Sequence, residues 1–136
     1  MATAENHPEQ LHLYVVSTDG NNKDPECLSC KVKTELENKS CRYNRAFFGK
    51  KGSTTYALSC LGPGIPEISI FDMNNNKLMT WENNEFIKNK LSAKVLPTIE
   101  RLTVPVSGGF NAVVVLFLPP NMDKSGKTKY PLLIYV

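Results

Sequence analysis

The amino-acid sequence predicts a mainly β fold. Short stretches in which apolar and polar residues alternate recur between residues 11 and 81, and turn-forming residues separate them. A continuous apolar stretch, residues 113–118, follows later in the chain and is bounded by Pro119 and Pro120. Short strands separated by turns are typical of a β-propeller, a sandwich or a barrel.

Most of the predicted elements lie before Pro97, which marks a predicted boundary between two parts of the chain. Alternation around Leu11, Leu13 and Val15 predicts the first strand, and the turn-forming residues 17–22 follow it. A second strand is predicted to enter residues 24–30. Two hairpins follow: one pairs residues 43–48 with 54–58 around the loop 49–53, and the other pairs residues 68–71 with 78–81 around residues 74–76. A short helix is predicted over residues 84–91, with Asn83 or Asn84 as its N-cap.

The part after Pro97 is predicted to contain further strands. Residues 98–104 alternate, residues 107–109 form a turn, and residues 113–118 resemble a strand buried on both faces. Residues 130–136 are predicted to begin one more strand, and the chain ends inside it. Because an intact domain rarely stops within its most apolar strand, we expect the sequence to be a piece of a longer protein.

Composition excludes several classes of partner. The chain has 136 residues, enough for one hydrophobic core, with 16 basic and 13 acidic side chains and a formal net charge of +3. No basic run marks a nucleic-acid-binding face, and no apolar run is long enough to span a membrane. The first twenty residues lack the apolar region of a signal peptide, so Met1 is not expected to be the start of the biological protein.

All four cysteines and a glycosylation-type triplet lie between Asp24 and Pro66. The spacing favours the disulfides Cys27–Cys30 and Cys41–Cys60; the second would close the hairpin between its cysteines and contribute roughly 3 kcal/mol. A zinc site is the weaker alternative because only one cysteine pair is close, and a redox Cys-x-x-Cys would need a strand before it and a helix after it. The triplet Asn38-Lys39-Ser40 predicts glycosylation of Asn38.

The sequence offers no catalytic set. Its only histidines, His7 and His12, lie near the polar N-terminus, where we expect both side chains to be exposed to solvent. No G-x-S-x-G elbow and no phosphate-binding glycine loop is present, and Gly62-Pro63-Gly64 is predicted to be a turn. The chain taken alone is therefore not predicted to be an enzyme, and no cofactor or metal is expected.

The order of several motifs resembles one family of proteins. These motifs are Cys-Leu-Ser-Cys at residues 27–30, Cys41, Cys-Leu-Gly-Pro-Gly-Ile-Pro at residues 60–66, Leu-Pro-Pro at residues 118–120 and Tyr-Pro-Leu-Leu at residues 130–133. They are similar, in order and near-equal spacing, to dipeptidyl peptidase IV and fibroblast activation protein. The resemblance covers practically the whole chain, and the family's pattern also supports the two disulfides named above.

The resemblance implies an architecture and a function. It implies that residues 1–96 are the C-terminal part of a β-propeller, the last blade region with the short helix, and that residues 97–136 begin an α/β-hydrolase domain that is incomplete here. It implies a parent enzyme, a secreted or membrane-anchored serine exopeptidase that removes Xaa-Pro or Xaa-Ala dipeptides from N-termini and is expected to be a homodimer. By the family's pattern, the catalytic triad and the oxyanion tyrosine would follow Val136, and the glutamates that grip the substrate would precede Met1.

Two hypotheses about function follow. In the first, the chain supplies propeller scaffold to an extracellular peptidase, and peptide substrate meets only the full-length parent. The chain alone is then inactive, because the nucleophile, the base and the oxyanion hole are missing. In the second, it is a non-catalytic extracellular module for binding or dimerisation, or else a non-functional gene remnant.

Overall fold

The computed structural model describes residues 1–4, 7–20 and 24–135. Strands dominate the described residues. The chain divides into two compact units, Met1–Lys90 and Leu91–Val136. Asn21 and Asn22, part of the predicted first turn, lie outside the described residues, as does Val136. Within the described part, no helix has both the length and the apolar character needed to cross a membrane.

The first unit is built on a six-stranded sheet, and its predicted hairpins are confirmed. Its strands lie side by side in the order β1-β2-β5-β6-β7-β8, and β5 to β8 run antiparallel as consecutive neighbours. A separate two-stranded ladder joins β3 to β4. The strands are β1 (Ala2–Ala4), β2 (His7–His12), β3 (Tyr14–Val15), β4 (Glu26–Cys27), β5 (Tyr43–Phe48), β6 (Thr55–Gly62), β7 (Glu67–Asp72) and β8 (Lys77–Glu82).

The core of this unit lies on one face of β6 and β7. Tyr56, Leu58 and Phe71 alternate with more exposed neighbours along these strands, as side chains of a half-buried sheet do. Leu13 packs with them, and all four side chains are at most 4% exposed. The Tyr56 and Phe71 rings stack with their centroids 5.5 Å apart. This cluster is where apolar burial stabilises the unit.

The predicted short helix is present as α1 (Glu85–Ser92). Asn83 Oδ1 accepts a hydrogen bond from the Glu85 backbone N–H at 3.0 Å, which satisfies one free donor of the first turn. Asn84 has a left-handed backbone, with φ at 56°, and donates from Nδ2 to the Pro66 carbonyl at 2.8 Å. None of the helical side chains is buried.

The second unit is a β-hairpin with an extended tail. Strands β9 (Thr98–Pro105) and β10 (Asn111–Leu118) pair antiparallel along their whole length around a 3-10 turn, Ser107–Gly109. Gly108 and Gly109 occupy left-handed conformations, with φ at 82° and 77°, which glycine adopts without strain.

Two predictions for this unit are wrong. Residues 113–118 are not buried on both faces: half-buried and exposed side chains alternate along β10, because β9 is its only partner among the described strands. Residues 130–135 do not form a strand. A strand needs a neighbour for its backbone donors and acceptors, and none of the described strands pairs with this tail, where Leu133 is 97% exposed.

Candidate functional site

The cysteine loop, residues 27–30, is joined to strand β3, which lies before it in the chain. Tyr14 pairs with Cys27 in the β3–β4 ladder, and the Leu28 backbone N–H donates to the Leu13 carbonyl at 2.8 Å. The Cys27 and Cys30 sulfurs are bonded, with Cα atoms 5.7 Å apart. Cys30 is exposed and Cys27 is half-buried, so this disulfide lies at the surface.

His12 lies beneath this loop, and the prediction that its side chain is solvent-exposed is wrong. It ends strand β2 and is only 4% exposed, whereas His7 is exposed as predicted. The Nδ1 atom of His12 lies 3.1 Å from Ser29 Oγ and 3.3 Å from Asn44 Nδ2. Its Nε2 atom lies 3.2 Å from Gln10 Oε1. The imidazole is thus enclosed by polar groups from three segments of the chain.

The hydrogen bonds indicate which nitrogen of His12 carries the proton. Ser29 Oγ already accepts from the Leu13 backbone N–H at 2.9 Å, so its own hydroxyl proton is free to point at His12 Nδ1. Nε2 then carries the hydrogen and donates to Gln10 Oε1. Burial lowers the pKa of His12, which favours the same neutral imidazole.

Asn44 connects this polar group to the second disulfide. It is fully buried, and its Nδ2 donates to the Leu11 carbonyl at 3.1 Å and approaches the Cys41 carbonyl at 3.4 Å. Its Oδ1 has no hydrogen-bond partner among the described residues. The Cys41–Cys60 disulfide, with Cα atoms 5.6 Å apart, is itself buried. The structure therefore contains both disulfides that the sequence favoured, linked through His12 and Asn44.

The contact between Ser29 and His12 has two elements of a hydrolytic site but lacks the rest. Nucleophile and base are within hydrogen-bond distance, yet Ser29 is 0% exposed and His12 is 4% exposed, so no substrate carbonyl reaches the hydroxyl. The other imidazole nitrogen faces an amide, Gln10, where a triad would place a carboxylate. The arrangement orients the loop and is not built for acyl transfer.

His12 and the two cysteines of the loop form a potential metal-ligand group. One imidazole nitrogen of His12 and the Sγ atoms of Cys27 and Cys30 all lie within 4.8 Å of one another. Metal ions bind thiolates, and the two sulfurs are bonded to each other as a disulfide. In the oxidised chain this group therefore has no thiolate ligand.

A second polar contact holds the Gly62-Pro63-Gly64 turn. Glu37 Oε2 accepts from the Ile65 backbone N–H at 2.7 Å, and Glu37 Oε1 pairs with Lys39 Nζ at 2.6 Å. These hydrogen bonds lower the pKa of Glu37, and the one from Lys39 has the largest effect. Gly64 has a φ of 105°, and a Cβ placed there would collide with Glu37 Oε2. Glycine at this position leaves room for the carboxylate.

Asn38 lies in the turn between the bridged residues Lys33 and Ser40. Its side chain is exposed, its φ is 51°, and its backbone N–H donates to the Thr34 carbonyl at 2.9 Å. A glycan would extend into solvent from this position. Glycosylation of Asn38 stays a prediction.

A small cleft of about 280 Å³ adjoins the core of the first unit. Tyr56 donates from its hydroxyl to Asn75 Oδ1 at 2.6 Å within it, and Asn75 Nδ2 donates to the Leu28 carbonyl at 3.1 Å. The cleft has mostly apolar walls formed by Leu13, Tyr14, Val15, Glu26, Leu28, Phe48, Tyr56, Met73, Asn74 and Asn75. Tyr56 and Asn75 are thus engaged with each other and with the backbone, so this pair does not form a catalytic group.

Comparison with known proteins gives the same family along the whole chain. The chain is 40% identical to venom dipeptidyl peptidase 4 of Vespa velutina over 136 residues, which cover all of this chain and 17% of the relative. Over 95% of this chain it is 36% identical to dipeptidyl peptidase 4 of Sus scrofa, and over 97% of this chain it is 32% identical to prolyl endopeptidase FAP of Mus musculus.

The chain belongs to the dipeptidyl peptidase 4 and FAP family. No family model matches the sequence. The chain spans only 16–17% of the length of these dipeptidyl peptidase 4 and FAP relatives. Their names describe peptidases, and the share that is covered leaves most of each relative outside the comparison.

The site residues predicted from sequence and those brought together by folding overlap only in part. The four cysteines were predicted, and the structure places them in two disulfides. His12, Ser29 and Asn44 were missed as a group, although an alternating strand that carries a histidine on its core side is a signal for a buried, hydrogen-bonded imidazole.

Proposed function

We propose that the chain is a scaffold segment of an extracellular serine exopeptidase that removes Xaa-Pro and Xaa-Ala dipeptides from peptide N-termini. The observation that carries this proposal is similarity along the entire chain to enzymes named dipeptidyl peptidase 4, at up to 40% identity. The segment orients and supports other parts of the parent enzyme, and the reacting groups come from those parts.

The first unit is consistent with the terminal part of a β-propeller over residues 1–96. Strands β5, β6, β7 and β8 form four consecutive antiparallel neighbours, and a propeller blade is a sheet of four such strands. Disulfide Cys41–Cys60 ties the first two of these strands together near their ends. We assign residues 97–136, with the β9–β10 hairpin, to the start of the α/β-hydrolase domain.

The disulfides support an extracellular location for the parent. Disulfides persist in secreted proteins and in the extracellular parts of membrane proteins and are rare in the cytosol. Both pairs of cysteines in this chain are bonded, and no free cysteine remains among the described residues.

A binding module is the second candidate, favoured by the outer strand of the sheet. Leu78, Met79 and Trp81 of β8 are between 55% and 71% exposed. Exposed apolar residues on an edge strand are typical of surfaces that pair with another element. In the scaffold hypothesis the same strand faces the rest of the parent enzyme.

A chimera tests the scaffold function. The chain replaces the aligned 136 residues of the Vespa velutina enzyme, and release of a chromophore from a Gly-Pro reporter is measured. We expect the secreted chimera to cleave the reporter and the free 136-residue chain to give no cleavage. A chimera that lacks the host's serine nucleophile is the matched control.

Two outcomes contradict the proposal. One is a chimera that is secreted and shows a folded spectrum in circular dichroism but is inactive. An equivalent scaffold segment should preserve the geometry of the host's active site, so such a chimera should be active. The other is cleavage by the pure free chain, since a scaffold has no nucleophile.

A further inference from the structure

The cysteine loop and His12 bring together three side chains that metal ions bind. One imidazole nitrogen of His12 and both sulfurs of the Cys27–Cys30 disulfide lie within 4.8 Å of one another. This cluster plays no part in the proposed scaffold function and does not depend on it.

We propose that reduction of the Cys27–Cys30 disulfide by a dithiol creates a three-ligand site for Zn²⁺. The dithiol gives two electrons and two protons to the sulfurs, the S–S bond breaks, and the reductant leaves as its own cyclic disulfide. Zn²⁺ then replaces the two thiol protons, which pass to water, and remains in the +2 state. The ligands are Cys27 Sγ, Cys30 Sγ and one imidazole nitrogen of His12, which gives up its present hydrogen bond when it binds the ion.

The difference in exposure between the two disulfides makes this reduction selective. Cys30 is exposed and Cys27 half-buried, whereas Cys41 and Cys60 are 1% and 4% exposed. An attacking thiolate must approach a sulfur directly, so access controls the rate of exchange. A small dithiol therefore opens Cys27–Cys30 while the buried pair stays intact.

The loop keeps its place after the disulfide opens. Its hydrogen bonds to the preceding segment do not involve the S–S bond: the Leu28 N–H donates to the Leu13 carbonyl, and Ser29 Oγ accepts from the Leu13 N–H. Ser29 also contacts His12 directly, at 3.1 Å. These contacts hold the two cysteines close to the imidazole in both redox states.

The spacing and the geometry suit zinc. Cys-x-x-Cys is a usual ligand spacing for this ion, and nitrogen and sulfur are its usual ligands. With Zn–S bonds of about 2.3 Å, two thiolates of a tetrahedral ion lie roughly 3.8 Å apart. Opening the disulfide frees the two sulfurs to separate to that distance, starting from Cα atoms that are 5.7 Å apart. Three protein ligands leave the fourth position for water.

The test is a Zn²⁺ titration of the untagged 136-residue chain, oxidised and after mild dithiol treatment, against a chromogenic chelator. Mass spectrometry after thiol labelling identifies the reduced cysteines. We expect one Zn²⁺ per reduced chain and none per oxidised chain. His12→Asn should weaken Zn²⁺ binding at least tenfold, and His7→Asn, at the exposed histidine, is the matched control and should leave it unchanged.

Co²⁺ provides a second measurement on the unmutated chain, which matters if His12→Asn does not fold. Thiolate-to-cobalt charge-transfer absorption and strong visible bands should appear in the reduced chain, as expected of a tetrahedral S₂N site. Absence of stoichiometric Zn²⁺ binding, or equal affinity in folded His12→Asn, overturns the proposal. Binding that persists in Cys27→Ser/Cys30→Ser also overturns it, because groups other than these two cysteines would then hold the ion.

Discussion

The two units of the chain are stabilised in different ways. In Met1–Lys90, a buried cluster, two disulfides and hydrogen bonds between distant segments act together. In Leu91–Val136, none of the described residues is buried, and backbone pairing within one hairpin is the main source of order. Two β-rich stretches of one chain therefore acquire very different local stability, because only one of them buries its apolar face.

The largest expected effect comes from a matched pair of leucine substitutions. Leu58 is 3% exposed in the first unit, and Leu102 is 38% exposed in the second. Leu58→Ala should lower the free energy of unfolding by about 2–5 kcal/mol, because it leaves a cavity. Leu102→Ala should cost about 0.5 kcal/mol. Urea unfolding followed by circular dichroism measures both, and equal losses would contradict the claim that apolar burial stabilises only the first unit.

The two disulfides of the first unit should contribute unequally to its stability. Cys41–Cys60 joins residues 19 apart and Cys27–Cys30 joins residues 3 apart. In the loop-entropy model, Cys41→Ala/Cys60→Ala lowers the free energy of unfolding by about 3 kcal/mol and Cys27→Ala/Cys30→Ala by about 2 kcal/mol. The measurement is again urea unfolding of the oxidised chain. A larger loss for the Cys27/Cys30 pair would contradict the model.

The pH dependence of stability should depend on His12. Its pKa in the folded chain is lowered from the ordinary value of 6.5 by burial. The neutral His12 imidazole therefore makes its full contribution to stability above pH 6.5. That contribution is lost as the pH falls below this value, because the unfolded chain binds a proton there more readily than the folded chain does.

Thermal unfolding between pH 7.5 and 5.5 measures this effect. We expect the melting temperature of the natural chain to fall with pH and the slope to flatten in His12→Asn. His7→Asn is the control, because its imidazole is exposed, and it should keep the natural slope. An unchanged slope in folded His12→Asn would show that other groups cause the pH dependence.

The smallest effect is expected in the second unit, where Asp123 organises a loop. Hydrogen bonds from Ser125, the largest influence, and from Thr128 lower the pKa of Asp123 to about 2. An NMR titration of the carboxyl resonance should give that value. Thr128→Val should raise the pKa because the hydroxyl donor at 2.9 Å is lost. An ordinary pKa of 3.8 in the natural chain would mean that the loop is not held.

The sequence predicted the strands of residues 43–82 because the signal there is local. Side chains alternate along β6 and β7, and turn-forming residues such as Asn75, with φ at 66°, mark the hairpin ends. Period-two alternation and turn chemistry depend on neighbouring residues, which a single sequence displays.

The burial of His12 could not be predicted in the same way. Its partners Ser29 and Asn44 lie 17 and 32 residues away, so the contact exists only after the sheet has formed. Residues 130–135 were predicted as a strand from composition, but a strand also requires a partner, and composition carries no information about partners.

Asn75 has a consequence for the order in which the first unit assembles. Its amide joins the Tyr56 hydroxyl to the Leu28 carbonyl, 47 residues away in sequence, while its own backbone forms the turn between β7 and β8. Closing short loops is faster than closing long ones. We therefore expect the β7–β8 turn to form first and the cysteine loop to fold onto it later. This unit should then assemble from the middle of the chain back toward its N-terminus, and pulse-labelled hydrogen exchange should protect the β7–β8 turn before the cysteine loop.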